Sequence, residues 1–176
     1  VNRASFGVQT FNDRDLKLLA RGHDANDARS TFQLLRNAGF DNISFDLIAG
    51  LPEQTIDEWS RNLDEAIAMR PEHLSLYLLE IHEGTPLAEQ VRSGRRTPID
   101  DQVAAEMYEM MIDRLVDAGY EQYEISNFAR PGYHSRHCRL QNRQAGGATQ
   151  ANPAGSQRDR AGIWVPCPAG HDRRRR

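Results

Sequence analysis

No apolar run in this chain approaches the roughly 20 residues that a bilayer-spanning helix needs, and the amino end lacks the build of a secretory signal. Cysteine is nearly absent, with Cys138 and Cys167 the only two and both late in the chain. Two such thiols do not make a disulfide framework, so a reducing cytoplasm is the expected location. The sequence opens on Val1 instead of methionine, and the expectation is a piece of a longer protein. What is present suffices for a core: 39% of the 176 residues are hydrophobic, and single domains most often run to about 100–150 residues.

The net charge of −3 conceals two compositions. Residues 139–176 carry eight arginines against Asp159 and Asp172, a net of +6, which leaves the first 138 residues with 14 basic and 23 acidic groups, or −9. Any account of partners has to treat the two stretches separately.

Residues 1–130 alternate short apolar runs with longer segments of helical period, the pattern of repeated βα units and a parallel sheet. Strands are predicted over residues 3–9, 43–48, 73–79 and 120–126. After a short turn or helix over 13–21, a helix is predicted over 25–38, with Asp24 placed to cap it and Gly39 to end it. Thr55 and Glu58 supply a capping box for the next, which Pro71 stops. A short helix to about residue 92 and a longer one over 101–118 follow, the latter with Val103, Met107, Met111 and Leu115 on one face.

Each predicted strand has two unlike faces. One carries Ala4, Phe6, Val8; Ile43, Phe45, Leu47; and Leu74, Leu76, Leu78, while the other carries Ser5, Gly7, Gln9; Ser44, Asp46, Ile48; and Ser75, Tyr77, Leu79. A strand covered by helices on both sides is apolar on both. Helices on one face and a partly polar opposite face fit a full or partial (β/α) barrel, whose polar parity lines the lumen.

On that parity Gln9 and Asp46 approach the C-terminal rim, where barrels bind substrates. A carboxylate there requires a partner, either ligand hydroxyls or a basic side chain of an adjacent strand. Arg21 offers a planar fork of donors for a carboxylate or phosphate, or stays on the solvated surface. Gly50-Leu51-Pro52 reads as a turn whose backbone could approach a ligand, and Tyr77 as a ring that either stacks on a ligand or fills the barrel.

Asn2-Arg3-Ala4-Ser5-Phe6-Gly7-Val8-Gln9-Thr10-Phe11, Asp46-Leu47-Ile48-Ala49-Gly50-Leu51-Pro52 and Glu121-Gln122-Tyr123-Glu124-Ile125-Ser126-Asn127-Phe128-Ala129 together resemble the oxygen-independent coproporphyrinogen III oxidase family of radical S-adenosylmethionine (SAM) proteins. Leu74-Ser75-Leu76-Tyr77 and the stretch from Tyr120 to Tyr133 look most like its HemW-type heme-chaperone branch. The resemblance covers residues 1–137. It implies the C-terminal part of a partial (β/α) barrel of the radical SAM type, truncated at the N-terminus. It also implies that Gln9 and Asp46 hold the ribose hydroxyls of SAM and that Arg21 binds its carboxylate; Ile48 and Leu79, on the same lumen parity, could pack against the adenine.

Members of that family carry a three-cysteine motif upstream, which holds a [4Fe-4S] cluster that cleaves SAM reductively. Clusters of this kind need thiolates, and the first 137 residues have none. No radical activity is therefore expected of the chain as it stands, and no catalytic or metal-binding residue is assigned to it. SAM and the cluster are implied as cofactors of the intact parent, heme or a porphyrin as its ligand, and a heme-acceptor protein as its partner. The chaperone reading is favoured over the oxidase.

After His137 the resemblance stops. A sequence rich in Arg, Ala, Gly, Gln and Pro follows, ending in four arginines at 173–176. One reading is an arginine-rich arm that binds nucleic acid. The preferred one is a disordered C-terminal tail or out-of-frame sequence over residues 138–176, because the break is sharp and no periodicity follows. Nucleic acid is accordingly not expected as a partner. His134, His137 and Cys138 are metal ligands by type, yet a single close group without a second pair is a weak zinc signal. Two other functions remain open on the residues: a cofactor-free (β/α) barrel enzyme acting on a phosphorylated metabolite, and a non-enzymatic heme- or RNA-binding protein.

Overall fold

The computed structural model describes residues 2–135, 156–158 and 164–166. In chain order the elements are β1 (Ala4–Gln9), α1 (Asp13–Leu18), α2 (Ala25–Asn37), β2 (Ile43–Ala49), α3 (Ile56–Met69), β3 (His73–Leu78), α4 (Pro86–Arg92), α5 (Asp101–Asp117), β4 (Glu121–Glu124) and β5 (Asn127–Ala129). Two further strands, β6 (Ser156–Arg158) and β7 (Trp164–Pro166), pair with each other in a separate antiparallel sheet. The rest of the predicted tail, with the boundary at 137, His137 and Cys138, lies outside the described residues.

Helix starts follow local chemistry. Asp24 accepts a hydrogen bond from the Asp27 N–H (2.8 Å), and Asp27 accepts one from the Asp24 N–H (3.0 Å). Thr55 and Glu58 exchange the same two bonds at 3.2 and 2.9 Å. Each cap satisfies backbone donors that have no partner inside the helix, and losing one costs about 1 kcal/mol. Gly39 and Gly119 follow α2 and α5, and Arg70, in the left-handed conformation, follows α3 just ahead of Pro71.

The main sheet has the order β1-β2-β3-β5-β4, and its first three strands are parallel. Phe45 lies at the centre of the helix-facing side, with ring centroids 6.0 Å from Phe6, 6.1 Å from Phe11 and 6.1 Å from Phe32 of α2. Val8, Leu47, Leu74 and Leu76 continue that layer against Trp59 and Leu63 of α3 and Met107 and Met111 of α5. The Trp59 indole N–H donates to the Met107 carbonyl at 3.0 Å, so the largest buried side chain satisfies its only polar group by joining the two helices. No helix among the described residues is long and apolar enough to cross a membrane.

The opposite face carries the polar parity in register: Ser5 beside Ser44 beside His73, then Gly7 beside Asp46 beside Ser75, then Ile48 beside Tyr77. An open parallel sheet with helices on one face is the expected partial barrel. The last predicted strand departs from it. Residues 121–124 of it form β4, which runs in the same direction as β1–β3 but does not pair with β3, because α5 delivers the chain to the outer edge and a reversal at Ile125–Ser126 inserts β5 between the two. Strand β5 therefore runs antiparallel to β3, fixed by a bond from the Leu76 N–H to the Ser126 carbonyl (2.7 Å) and one from the Ser75 hydroxyl to Asn127 (3.0 Å).

Candidate nucleoside site at the rim

Strands β1, β2 and β3 end together at one rim. Gln9 closes β1 through an irregularity: Gly7 stands opposite Asp46, but Gln9, not Val8, stands opposite Leu47. The extra residue is a bulge, and Gln9 has φ of +70°. A non-glycine residue in the left-handed region costs about 1–3 kcal/mol and persists only where its surroundings enforce it. The turn swings the Gln9 side chain back over Gly7, with Cδ 3.5 Å from the point where a Gly7 Cβ would stand and Nε2 nearer still, too close for that Cβ to be accommodated. Gly7 alternates with the helix-facing Phe6 and Val8, so its open side is the polar face. Gln9 and Asp46 thus reach the same face as neighbours, although the bulge brings Gln9 there by a route that simple alternation does not describe.

Gln9 is 5% exposed, and its carboxamide makes no hydrogen bond to any described residue. Its two polar atoms are not among the enclosed ones left without a partner, so the amide opens onto the surface at the rim, where it is free to meet a ligand. Asp46 is half-buried between Gly7 and Ser75. Ile48, two residues further on, is buried on the same face and stands apart from the helix-packed core.

Arg21 and Leu79 come together a short way along the rim. Both line a cavity of about 440 Å³ whose wall also includes Lys17, Glu80 and His82, and whose lining stops short of Gln9, Asp46 and Ile48. Leu79 lies just past β3 and prolongs its ladder by donating its N–H to the Ala49 carbonyl at 2.8 Å. Arg21 is half-buried after α1, and the loop that carries it is tied to β1 by His23, whose Nε2 lies 3.4 Å from the Val8 carbonyl. The arrangement offers an amide and a carboxylate for vicinal hydroxyls, apolar side chains for a base, and a guanidinium for an anion.

Two features escaped the sequence reading. Gln54, 3% exposed, accepts from the Gly50 N–H (2.8 Å) and the Leu51 N–H (3.4 Å), while its Nε2 has no partner among the described residues. It holds the turn after β2 in shape. A polar residue between Pro52 and the cap Thr55 reads as solvated loop, and nothing in the spacing signals its burial. The other is His73, at the opposite end of the sheet from Gln9. Its Nδ1 lies 2.8 Å from the Ser44 hydroxyl and its Nε2 2.6 Å from the Tyr123 hydroxyl, and Tyr123 stacks on His134 at 4.5 Å. Burial first, then the charges of Arg3 and His134, push the His73 pKa down to about 3, so the ring is neutral. Among the described residues no group of three or more His, Cys, Asp and Glu is placed to hold a metal ion, and both cysteines lie outside those residues.

The fold and the rim define a class, and comparison with known proteins identifies it. The radical SAM superfamily model matches residues 1–66. The chain is 40% identical over 137 residues to heme chaperone HemW of Bacillus subtilis, covering 78% of this chain and 36% of that protein. It is 43% identical over 137 residues to the mitochondrial radical S-adenosyl methionine domain-containing protein 1 of Mus musculus, covering 31% of it. Among solved structures, the Escherichia coli coproporphyrinogen III oxidase HemN, described as a radical SAM enzyme, superposes with a TM-score of 0.64 at 25% identity, over 92% of this chain and 34% of that one. The chain belongs to the radical SAM superfamily, in its HemW-type branch. It spans about a third of the length of the curated relatives it matches.

Proposed function

We propose that this chain forms the SAM-holding rim of a radical SAM protein of heme metabolism, a heme chaperone in kind, working in a reducing cytoplasm. The observation that carries the reading is the buried, left-handed Gln9, whose unpartnered carboxamide lies on the face of Asp46. Asp46 accepts from the ribose hydroxyls and Gln9 completes that pair, while Arg21 receives the carboxylate. Ile48 and Leu79 contribute apolar surface to the adenine and keep water from it. When bound, SAM and a [4Fe-4S] cluster supply reductive cleavage chemistry; the described residues contribute no cluster ligand. Heme or a porphyrin as cargo, and a heme-acceptor protein as partner, are supported by the names of the relatives, HemW being a heme chaperone.

Titration calorimetry of the chain with SAM tests the rim. A charge-assisted hydrogen bond contributes about 1.5–3 kcal/mol, so Asp46→Ala weakens binding by about ten- to a hundred-fold. Glu109→Ala, an exposed change on α5, leaves it unaltered. Equal affinities for the two variants, or no binding by the native chain, reject the ribose role. A Soret band on addition of hemin, absent with a control protein, tests the cargo.

A further inference from the structure

We infer that Gly7 is a positioning residue of this site: its missing side chain is the seat in which the Gln9 carboxamide rests beside Asp46. The inference rests on the nucleoside-holding reading of the rim and adds to it a residue with no ligand contact of its own.

Glycine in the interior of a strand is unfavourable for the sheet, since it is flexible and has nothing to pack. Gly7 occupies such a place, in register with Asp46 and immediately before the bulge. Its backbone has no positive φ to require glycine. Space supplies the reason instead. Apart from its chain neighbours, the only atoms of the described residues within 4 Å of the point where its Cβ would stand are Nε2 and Cδ of Gln9. Among the described residues no strand, helix or loop backbone comes near. A methyl group at position 7 would therefore meet one thing, the tip of a flexible side chain, and would evict it from the polar face. Because the left-handed φ of Gln9 aims that side chain back along its own strand, the two residues act as one device. The bulge turns the side chain, and the glycine receives it.

A cycle of four chains tests this: native, Gly7→Ala, Gln9→Ala and the double variant, each titrated with SAM and melted. Gly7→Ala and Gln9→Ala are each expected to weaken binding by about ten-fold, with the double variant no weaker than Gln9→Ala alone. The melting temperature of Gly7→Ala is expected to equal or exceed that of the native chain. The side-chain amide resonances of Gln9, identified by their loss in Gln9→Ala, are expected to shift in Gly7→Ala without any ligand present. Losses that multiply in the double variant, or an unmoved Gln9 resonance in Gly7→Ala, overturn the seat while leaving the ribose reading intact. A large drop in melting temperature shared by Gly7→Ala and the double variant also overturns it, because the methyl then meets more than Gln9. If Gln9→Ala binds SAM as the native chain does, Gln9 has no ribose role, and the function given to Gly7 falls with it.

Discussion

The Cδ1 of Ile99 lies 3.2 Å from the point where a Cβ on Gly50 would stand, so the segment leading into α5 closes directly over the end of β2. Gly50 has φ of +80°, and the Leu79 nitrogen is 3.7 Å from the same point. Two costs therefore add in Gly50→Ala: left-handed strain of about 1–2 kcal/mol for a residue with a Cβ, and a contact that Ile99 must relieve. A loss of about 2 kcal/mol in urea denaturation, with an unchanged denaturant slope, is the expected outcome. A midpoint like that of the native chain would mean that the turn after β2 is far looser than its geometry.

The strain at Gln9 predicts a separation of stability from binding. Gln9→Ala keeps the left-handed φ of +70° with a Cβ, whereas Gln9→Gly removes the penalty. Both lose the carboxamide and both weaken SAM binding. Gln9→Gly should nevertheless be the more stable of the two by about 1 kcal/mol in equilibrium unfolding. The reverse order would show that the bulge is relaxed, leaving no strain for a ligand site to justify.

What was legible in the sequence was the chemistry that acts over three or four residues. Asp24 and Thr55 cap donors a single turn away, and Pro71 stops α3 by what it is, so α2 and α3 stand within a residue or two of their predicted bounds. Alternation along β1, β2 and β3 assigned the helix-facing side to Phe45, Leu47 and Leu76, since burial of one face leaves a period of two. The β4–β5 hairpin did not announce itself. Its turn at Ile125–Ser126 has neither glycine nor proline, and strands of four and three residues are too short to display a direction. The bulge at Gln9 was equally silent, because its cause is the register with β2, some forty residues away. Alternation put Gln9 and Asp46 on one face, but the bulge breaks that alternation and Gln9 reaches the face through its left-handed turn; the seat on Gly7 was not legible either, because it depends on the path of a side chain.

His73 carries a prediction about acid, and it too arises from partners far along the chain. The ring is held between Ser44 and Tyr123, and its pKa of about 3 in the folded chain lies well below the ordinary histidine value of 6.5. As pH falls through 6.5 the unfolded chain takes up a proton at this position, while the folded chain does not until about pH 3. Across that window the unfolded state binds more protons, so stability falls as pH falls, by about 1.4 kcal/mol per pH unit from this one group. Carboxylates titrate over part of the same range, which makes the difference between two chains the useful quantity. His73→Gln retains a donor and an acceptor for Ser44 and Tyr123 but has nothing to titrate. At pH 7 it should be the less stable chain, by about 1–3 kcal/mol for imperfect hydrogen bonding in a buried place. Between pH 6 and pH 4 its stability should decline less steeply than that of the native chain by about 1.4 kcal/mol per unit, so the two curves converge. Urea midpoints at four pH values decide the matter, and parallel curves would mean that His73 is protonated in the fold, with Tyr123 as acceptor instead of partner to a neutral ring.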